Sequence, residues 1–269
     1  MPIRAAHPDD LDAIVAVTAA AGGDVERPVD RHVRTLQYVQ RTGELLVAVD
    51  AGRIVGAAGV IDLPHTSFVS DLFVDPDQHG RGIGGALLDR LLAERPVRAT
   101  CSSSHPAALA AYATRGMMPR WRLRYRRGLV TSDRAWDVPA ATVADLAEAI
   151  DDDAVSRPDL LAHLIDVGGV AWRLADGGTA VVRVEPDGTH HVLFAVTGGD
   201  HGGAIASLFA ALPDDAPVLV HVAEWSPADP LLASLGFTEV DADTWCSTID
   251  DPLGGCSAGG VGLHPGLGV

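Results

Sequence analysis

The sequence predicts an α/β (α+β) chain whose two halves repeat one order of elements, and three observations carry that expectation. One is the stretch from Phe68 to Ala93, where an apolar strand runs through a glycine-rich turn into an amphipathic helix. Another is the run of strands and helices after residue 136, which follows the order of the run before residue 130. The third is charge. Residues 1–128 hold 16 Arg against 14 Asp and Glu, a net of +2, whereas residues 129–269 hold 4 Arg against 22 acids, a net of −18. The polar stretch Gly128 to Ala135, with Thr131-Ser132-Asp133, marks the boundary. The expected units are therefore 1–130, 136–249 and an extended or partly disordered Gly- and Pro-rich tail, 250–269.

Phe68 to Val74 reads as a short strand that Asp75-Pro76 stops, because proline lacks a ladder donor and restricts the residue before it. Ile83, Leu87, Leu88, Leu91 and Leu92 then recur at helical spacing, with Gly80, Gly82, Gly84 and Gly85 around the helix start. The first N–H groups of a helix have no internal partner and that end is electropositive, so the turn suits a phosphate, and Arg81 adds a cation. A ligand-free turn fits the glycine count equally well, so residue order has to decide.

The order resembles the signature of the GNAT (GCN5-related) N-acetyltransferases, a strand ending in V-x-P followed by Q/R-x-x-G-x-G/A. Here Val74-Asp75-Pro76 is followed by His79-Gly80-Arg81-Gly82-Ile83-Gly84, with His79 in place of the family's Gln or Arg. The resemblance implies two domains, each a mixed, mostly antiparallel twisted sheet flanked by helices. It further implies that acetyl-CoA lies with its pantetheine arm on the backbone of Leu72, Phe73 and Val74 and its pyrophosphate on Gly80 to Gly85. Downstream, His105-Pro106-Ala107-Ala108-Leu109-Ala110-Ala111-Tyr112-Ala113-Thr114-Arg115-Gly116-Met117 resembles the family's N-x-x-A-x-x-x-Y-x-x-x-G-F segment, with His105 for Asn and Met117 for Phe. This puts His105 beside the cofactor and gives Tyr112 the part of the acid that protonates the departing thiolate. A packed aromatic is the structural alternative for Tyr112.

Around this stretch, Ile3 to Ala6 reads as a strand, and Asp9 or Asp10 as the cap of a helix carrying Leu11, Ile14, Val15 and Val17. A helix over Asp30 to Arg41 precedes strands Leu45–Val49 and Ile54–Ile61, joined by the hairpin signal Asp50-Ala51-Gly52. In the family, Val29 to Gly43 and the third strand line the acceptor side, which makes Tyr38 and His65 candidates, each with a structural reading alongside. Val97–Cys101 is a strand, and Ala107–Thr114 a helix closed by Gly116. Alternation in Arg122-Leu123-Arg124-Tyr125-Arg126-Arg127 predicts a strand and a basic edge, able to meet the acidic half. No nucleic-acid motif accompanies it.

In the second half, Trp136–Val138, Val170–Leu174, Ala180–Glu185, His191–Thr197, Val218–Val222 and Thr244–Cys246 read as strands. Ala141–Asp151, Pro158–Val167, Gly203–Leu212 and a segment ending at Gly236-Phe237 read as helices. The order resembles a second, degenerate GNAT domain. Its turn, Gly198 to Gly203, contains Asp200, which repels a pyrophosphate, and Leu232 stands four before Gly236 where a tyrosine is expected.

With 47% hydrophobic residues the chain supports a core, and MPIRAAHPDDLDAI lacks the apolar stretch of a signal peptide. No run approaches a membrane span, which makes the cytoplasm the default. Cys101, Cys246 and Cys256 have no CxxC spacing, so they read as ordinary thiols, with no metal expected. The activity the resemblance implies is transfer of an acetyl group from acetyl-CoA to a primary amine of a small molecule, peptide or protein. A lysine-like amine must first lose a proton at a cost of roughly 4.6 kcal/mol at pH 7. Asp71, the central strand's carboxylate, and Ser70 beside it are the candidates to assist through ordered water. The alternatives are a non-catalytic acyl-CoA-binding module and a scaffold in which both halves have decayed.

Overall fold

A computed structural model of the chain describes residues 1–23, 28–131, 138–150, 157–197, 199–250 and 260–262. The first half runs β1 (Ile3–Ala5), α1 (Leu11–Ala20), α2 (Val29–Thr42), β2 (Gly43–Asp50), β3 (Arg53–Asp62), β4 (Ser67–Val74), α3 (Ile83–Leu91), β5 (Arg98–Ser102), α4 (Pro106–Ala113) and β6 (Met118–Leu129). The second runs β7 (Thr142–Val143), α5 (Leu146–Ile150), α6 (Pro158–Asp166), β8 (Val170–Arg173), β9 (Thr179–Val184), β10 (His190–Val196), α7 (His201–Ala211), β11 (Pro217–Ala223), α8 (Ala228–Ser234) and β12 (Thr238–Ser247). A short β13 (Gly260–Gly262) follows.

Most expected elements stand within a residue or two of where periodicity puts them. The hairpin turn is as its residues dictate, with Ala51 at φ 48° and Gly52 at φ 78°. Three details differ from those expectations. Asp10 stands at the N-cap of α1 as expected but makes no side-chain cap bond there; the capping box lies one turn earlier, where the His7 ring accepts from the Asp9 N–H and the Asp10 carboxylate accepts from the His7 N–H at 2.6 Å and pairs with Arg4. The segment expected to be one helix from Ala141 begins instead with β7, whose Thr142 and Val143 are β-branched, and α5 starts only at Leu146. The last strand is ten residues long, far beyond Thr244–Cys246. The expected strand at Trp136–Val138, the boundary residues Ser132 and Asp133, Cys256 and most of the tail lie outside the described residues.

Among the described residues the thirteen strands form one sheet, in the order β1-β2-β3-β4-β5-β12-β6-β11-β10-β9-β8-β7, with β13 against β10. The two halves exchange their last strands. β12 pairs antiparallel with β5, β6 pairs antiparallel with β11, and β6 and β12 pair with each other at the centre. The expected basic edge is therefore an interior strand. Its arginines are paired with the acidic half: Arg122 with Glu239 (2.6 Å), Arg124 and Arg126 with Asp229 (both 2.8 Å), and Arg127 with Asp187 (3.2 Å). Asp229 is buried, so its two guanidinium partners are what make that burial tolerable.

A second seam joins α2 to α6. Tyr38 is buried, stacks on His163 with centroids 4.4 Å apart, donates its hydroxyl proton to Asp159 (2.7 Å) and accepts from Arg157 (2.6 Å). Arg31 reaches Glu185 at 2.8 Å. One apolar cluster runs through the seam from Leu11, Ile14 and Leu36 to Leu160, Leu164 and Phe194. No helix among the described residues is long and apolar enough to cross a membrane.

Candidate active site: a fork between two parallel strands

β4 pairs with β3 along its length, but with β5 only from Ser67↔Arg98 to Val69↔Thr100. Beyond that point the two parallel strands separate, and among the described residues Leu72, Phe73 and Val74 present one main-chain edge without a strand partner. The separation coincides with a bulge. Val69 faces Val60 and Asp71 faces Gly59, so Ser70 is an extra residue that bends β4. The mouth of the fork leads to the glycine turn. Gly80 (φ 78°) and Gly82 (φ 73°) are in the left-handed region, which favours glycine, and a Cβ on either would meet nothing within 4 Å. Gly82 is the N-cap of α3 and supplies no capping side chain, so the first N–H groups of that helix are left for an outside acceptor. An open strand edge leading to a left-handed glycine cradle fits a pantetheine arm and its pyrophosphate.

The neighbouring side chains are arranged less simply. His79 Nε2–H donates to the Val74 carbonyl at 3.0 Å, latching the end of the strand. Arg81 is ion-paired with Asp50 at 2.9 Å and bonded to Gln78, and is half exposed. His105 caps α4, its Nδ1 accepting from the Ala107 N–H at 3.2 Å. Ile83 faces inward with Leu87, Leu88 and Leu91, while Gly84 and Gly85 complete the first turn of α3. Arg115 ties the two helices of the site together, bonding the Gly85 carbonyl (2.9 Å), the Ala111 carbonyl (2.7 Å) and Asp89.

Tyr112 lies on the α3 face in a cluster with Ile83, Leu87 and Cys246, and only 6% of it is exposed. Burial pushes its phenol up to about 12; a hydrogen bond with the Thr100 side chain pulls the other way, and Cys246 and Asp71 add to the rise. Thr100 donates to the Val69 carbonyl at 2.9 Å, which places both hydroxyls where the strands part. Asp71 and Ser70 stand on the opposite, α2 face. A Cβ on Gly59 would lie 2.9 Å from Ser70 Oγ, 2.9 Å from Val39 and 3.2 Å from Asp71 Oδ2, and the Ser70 hydroxyl donates to Asp71 at 2.8 Å. The gap thus has a phenol on one side of the sheet and a carboxylate on the other.

Sequence reasoning missed the contribution of β12. Cys246 packs against Tyr112, Trp245 stacks on Trp121 (4.9 Å) and lies against Phe68 (5.3 Å), and Asp243 accepts from Tyr125 (2.6 Å), so the acidic half walls the fork of the basic half. Burial raises the Asp243 carboxyl. Cys101 and Cys246 are free thiols, both raised by burial. Of the two acceptor-side candidates, Tyr38 is committed to the α2–α6 seam, and His65 is exposed in the loop after β3. No group of three or more possible metal ligands occurs among the described residues.

Residues 41–116 match the model of the acetyltransferase (GNAT) domain, a span holding the fork, the glycine turn and Tyr112. No curated protein matches the sequence significantly. Among solved structures, a candidate acetyltransferase from Pyrococcus horikoshii superposes with a TM-score of 0.78 at 17% identity, covering 100% of this chain and 95% of its own. A tandem GNAT protein from the clavulanic acid biosynthesis pathway gives 0.65 at 18% identity over 91% of this chain and 97% of its own. A GCN5-related N-acetyltransferase from Kribbella flavida gives 0.62 at 19% identity over 91% and 70%. These likenesses are of fold: residues 41–116 match a GNAT domain, and the whole chain shares its fold with GNAT proteins, one of them a tandem GNAT protein.

Proposed function

We propose that the chain is an acetyl-CoA-dependent N-acetyltransferase acting, in the cytoplasm, on a primary amine of a small molecule or protein. One observation carries the reading. The strand edge freed by the fork leads straight to the left-handed glycines at 80 and 82, with Tyr112 at the point of separation.

The edge of Leu72 to Val74 would hold the pantetheine amides, and the N–H groups of the Gly80 to Gly85 turn the pyrophosphate. Acetyl-CoA supplies an activated thioester carbonyl and a thiol leaving group. Main-chain N–H groups of the β4 edge are placed to stabilise negative charge on a carbonyl oxygen in the gap. Asp71, held by Ser70, sits on the face where the amine enters and can accept its proton through water.

Tyr112 keeps its proton at neutral pH, since its pKa is about 12. Against a thiol near 8.5, complete transfer from such a phenol is uphill by roughly 5 kcal/mol. Its contribution is therefore a hydrogen bond to the charge developing on sulfur, with solvent completing the protonation.

A second reading, a non-catalytic acyl-CoA-binding module, is favoured by His79 and Arg81 both being engaged by the protein itself. The deciding experiment is a panel of amines incubated with acetyl-CoA and the full chain, with free thiol and acetylated product measured. Amine-dependent release of thiol that is lost in Asp71→Asn supports the enzyme. Acetyl-CoA binding without thiol release for any amine supports the module.

A further inference from the structure

The second half contains the same fork, and there it is filled. β10 pairs parallel with β11 up to Val192↔Val220, as β4 pairs with β5 up to Val69↔Thr100. Each strand bulges at the next residue. Val192 faces Val182 and Phe194 faces Val181, leaving Leu193 where the first half has Ser70. By this register Ala195 and Val196 correspond to Leu72 and Phe73. The same edge that is open on β4 carries a strand on β10: β13 runs antiparallel to it, with Ala195↔Gly262 and Val196↔Gly260, and it also neighbours β11. β13 thus lies between the two diverging strands.

The anion position is filled as well. Asp200 precedes α7 as its N-cap, and a Cβ built on Gly203 would come within 2.5 Å of Asp200 Oδ2, so this carboxylate lies over the first turn of the helix. An acidic group at that end meets the positive pole of the helix dipole. The polar pair of the first fork is gone. Val220 replaces Thr100, and Leu232, whose carbonyl accepts from the Phe237 N–H as that of Tyr112 accepts from Met117, replaces the tyrosine.

We propose that the second fork binds a segment of its own chain: Gly260–Gly262 takes the main-chain edge that the first fork keeps for a pantetheine arm, and the Asp200 carboxylate takes the place of the phosphate. Pairing of an extended segment on an exposed strand edge supplies the main-chain hydrogen bonds that the edge needs. Glycines at 260 and 262 carry no Cβ to hold the backbones apart. A tethered segment competes at an effective concentration of the order of millimolar, an advantage over a free ligand of equal intrinsic affinity at lower concentration. The device closes a vestigial cofactor slot and covers an edge that would otherwise recruit another strand. The pairing does not depend on acetyl transfer by the first half.

The test is amide hydrogen exchange in the full chain and in a chain ended at Asp250. Successive amides of a strand point to opposite sides, so one of Ala195 and Val196 faces β13. That amide is expected to exchange at least tenfold faster without the tail, and to regain protection when a synthetic peptide of residues 251–269 is added. Equal rates in the two chains, or a peptide without effect, overturn the proposal.

Val261→Pro in the full chain guards against a shortened chain that fails to fold. Proline cannot serve as an interior strand residue. The same tenfold acceleration is expected, confined to residues 193–197, and an unchanged rate there overturns the proposal. Adding acetyl-CoA separates the two readings. Slower exchange at Leu72 to Val74 reports on the first fork, and the response of Ala195 and Val196 to the tail reports on the second.

Discussion

The two forks of this molecule share a backbone and differ in what their open edges meet. Each has a parallel pairing that stops after three residue pairs, a bulge at the next position and a helix beginning beyond the strand. In the first, left-handed glycines leave the helix end bare and a buried tyrosine stands at the parting point. In the second, a carboxylate covers the helix end, a leucine takes the tyrosine's place and a strand of the same chain lies on the edge. The same backbone geometry thus carries different residues on its open edge, and on the proposed reading it is those residues that set what each edge can hold.

Separating the halves breaks the comparison most completely. β12 lies between β5 and β6, so residues 1–130 alone would carry β6 without its partners and lose a wall of the first fork. The sequence units 1–130 and 136–249 are accordingly proposed to fold only together. Residues 1–130 alone are expected to show no cooperative thermal transition by circular dichroism. Co-expression with the second half should restore both the transition and acetyl-CoA binding.

Next in size is Gly82→Val. A branched residue at φ 73° costs ~1–2 kcal/mol, and relaxing the turn forfeits charge-assisted N–H contacts worth ~1.5–3 kcal/mol. Acetyl-CoA affinity is expected to fall about 100-fold or more by calorimetry, whereas Gly202→Ala at the second fork leaves it unchanged.

Tyr112→Phe should lower turnover by about 10- to 100-fold, at or below the bottom of the range for acid–base groups, because full proton transfer from this phenol is uphill. Affinity and melting temperature should stay near wild type, since the ring and its packing remain. Full activity would make Tyr112 a packed aromatic and solvent the sole proton source.

A last effect, on stability rather than on binding or turnover, concerns the seam. Burial alone would raise the Glu185 carboxyl, but hydrogen bonds from His191, Arg183 and Arg31 hold it well below the usual carboxylate range. A depressed carboxylate contributes stability that is complete above its unfolded value of about 4.3 and is lost as pH falls towards the folded value. Arg31→Ala is expected to cost ~1.5–3 kcal/mol at pH 7 in urea unfolding, the worth of a hydrogen bond to a charged group. The deficit should narrow below about pH 4.

Much of the first half was legible because its signals are local. Ile83, Leu87, Leu88 and Leu91 bury one helix face by spacing alone, and Gly80 and Gly82 mark left-handed positions that other residues avoid. The strand exchange was not legible. The alternation around Leu123 and Tyr125 identifies a strand but not its neighbours, and the arginines that suggested an edge are partners of Asp229, Glu239 and Asp187. Cys246 at the fork lies more than a hundred residues from Tyr112, and only the sheet order joins them. β13 was hidden for a related reason: in Gly-Val-Gly two glycines, depleted in strands, flank a single valine, and the pairing depends on an edge that β10 leaves open. Asp200 could be read as an obstacle to phosphate. That its carboxylate lies over the first turn of α7 depends on how the chain folds around Gly203.

The central claim is that this molecule holds acetyl-CoA in the first fork alone. The most direct measurement is titration of the full chain with acetyl-CoA, following heat for stoichiometry and amide exchange for location. One equivalent should bind, slowing exchange at Leu72 to Val74 and Gly80 to Gly85 while Ala195 to Thr197 and His201 to Gly203 stay unchanged. Two equivalents, or protection gained in the second set of amides, would contradict the account.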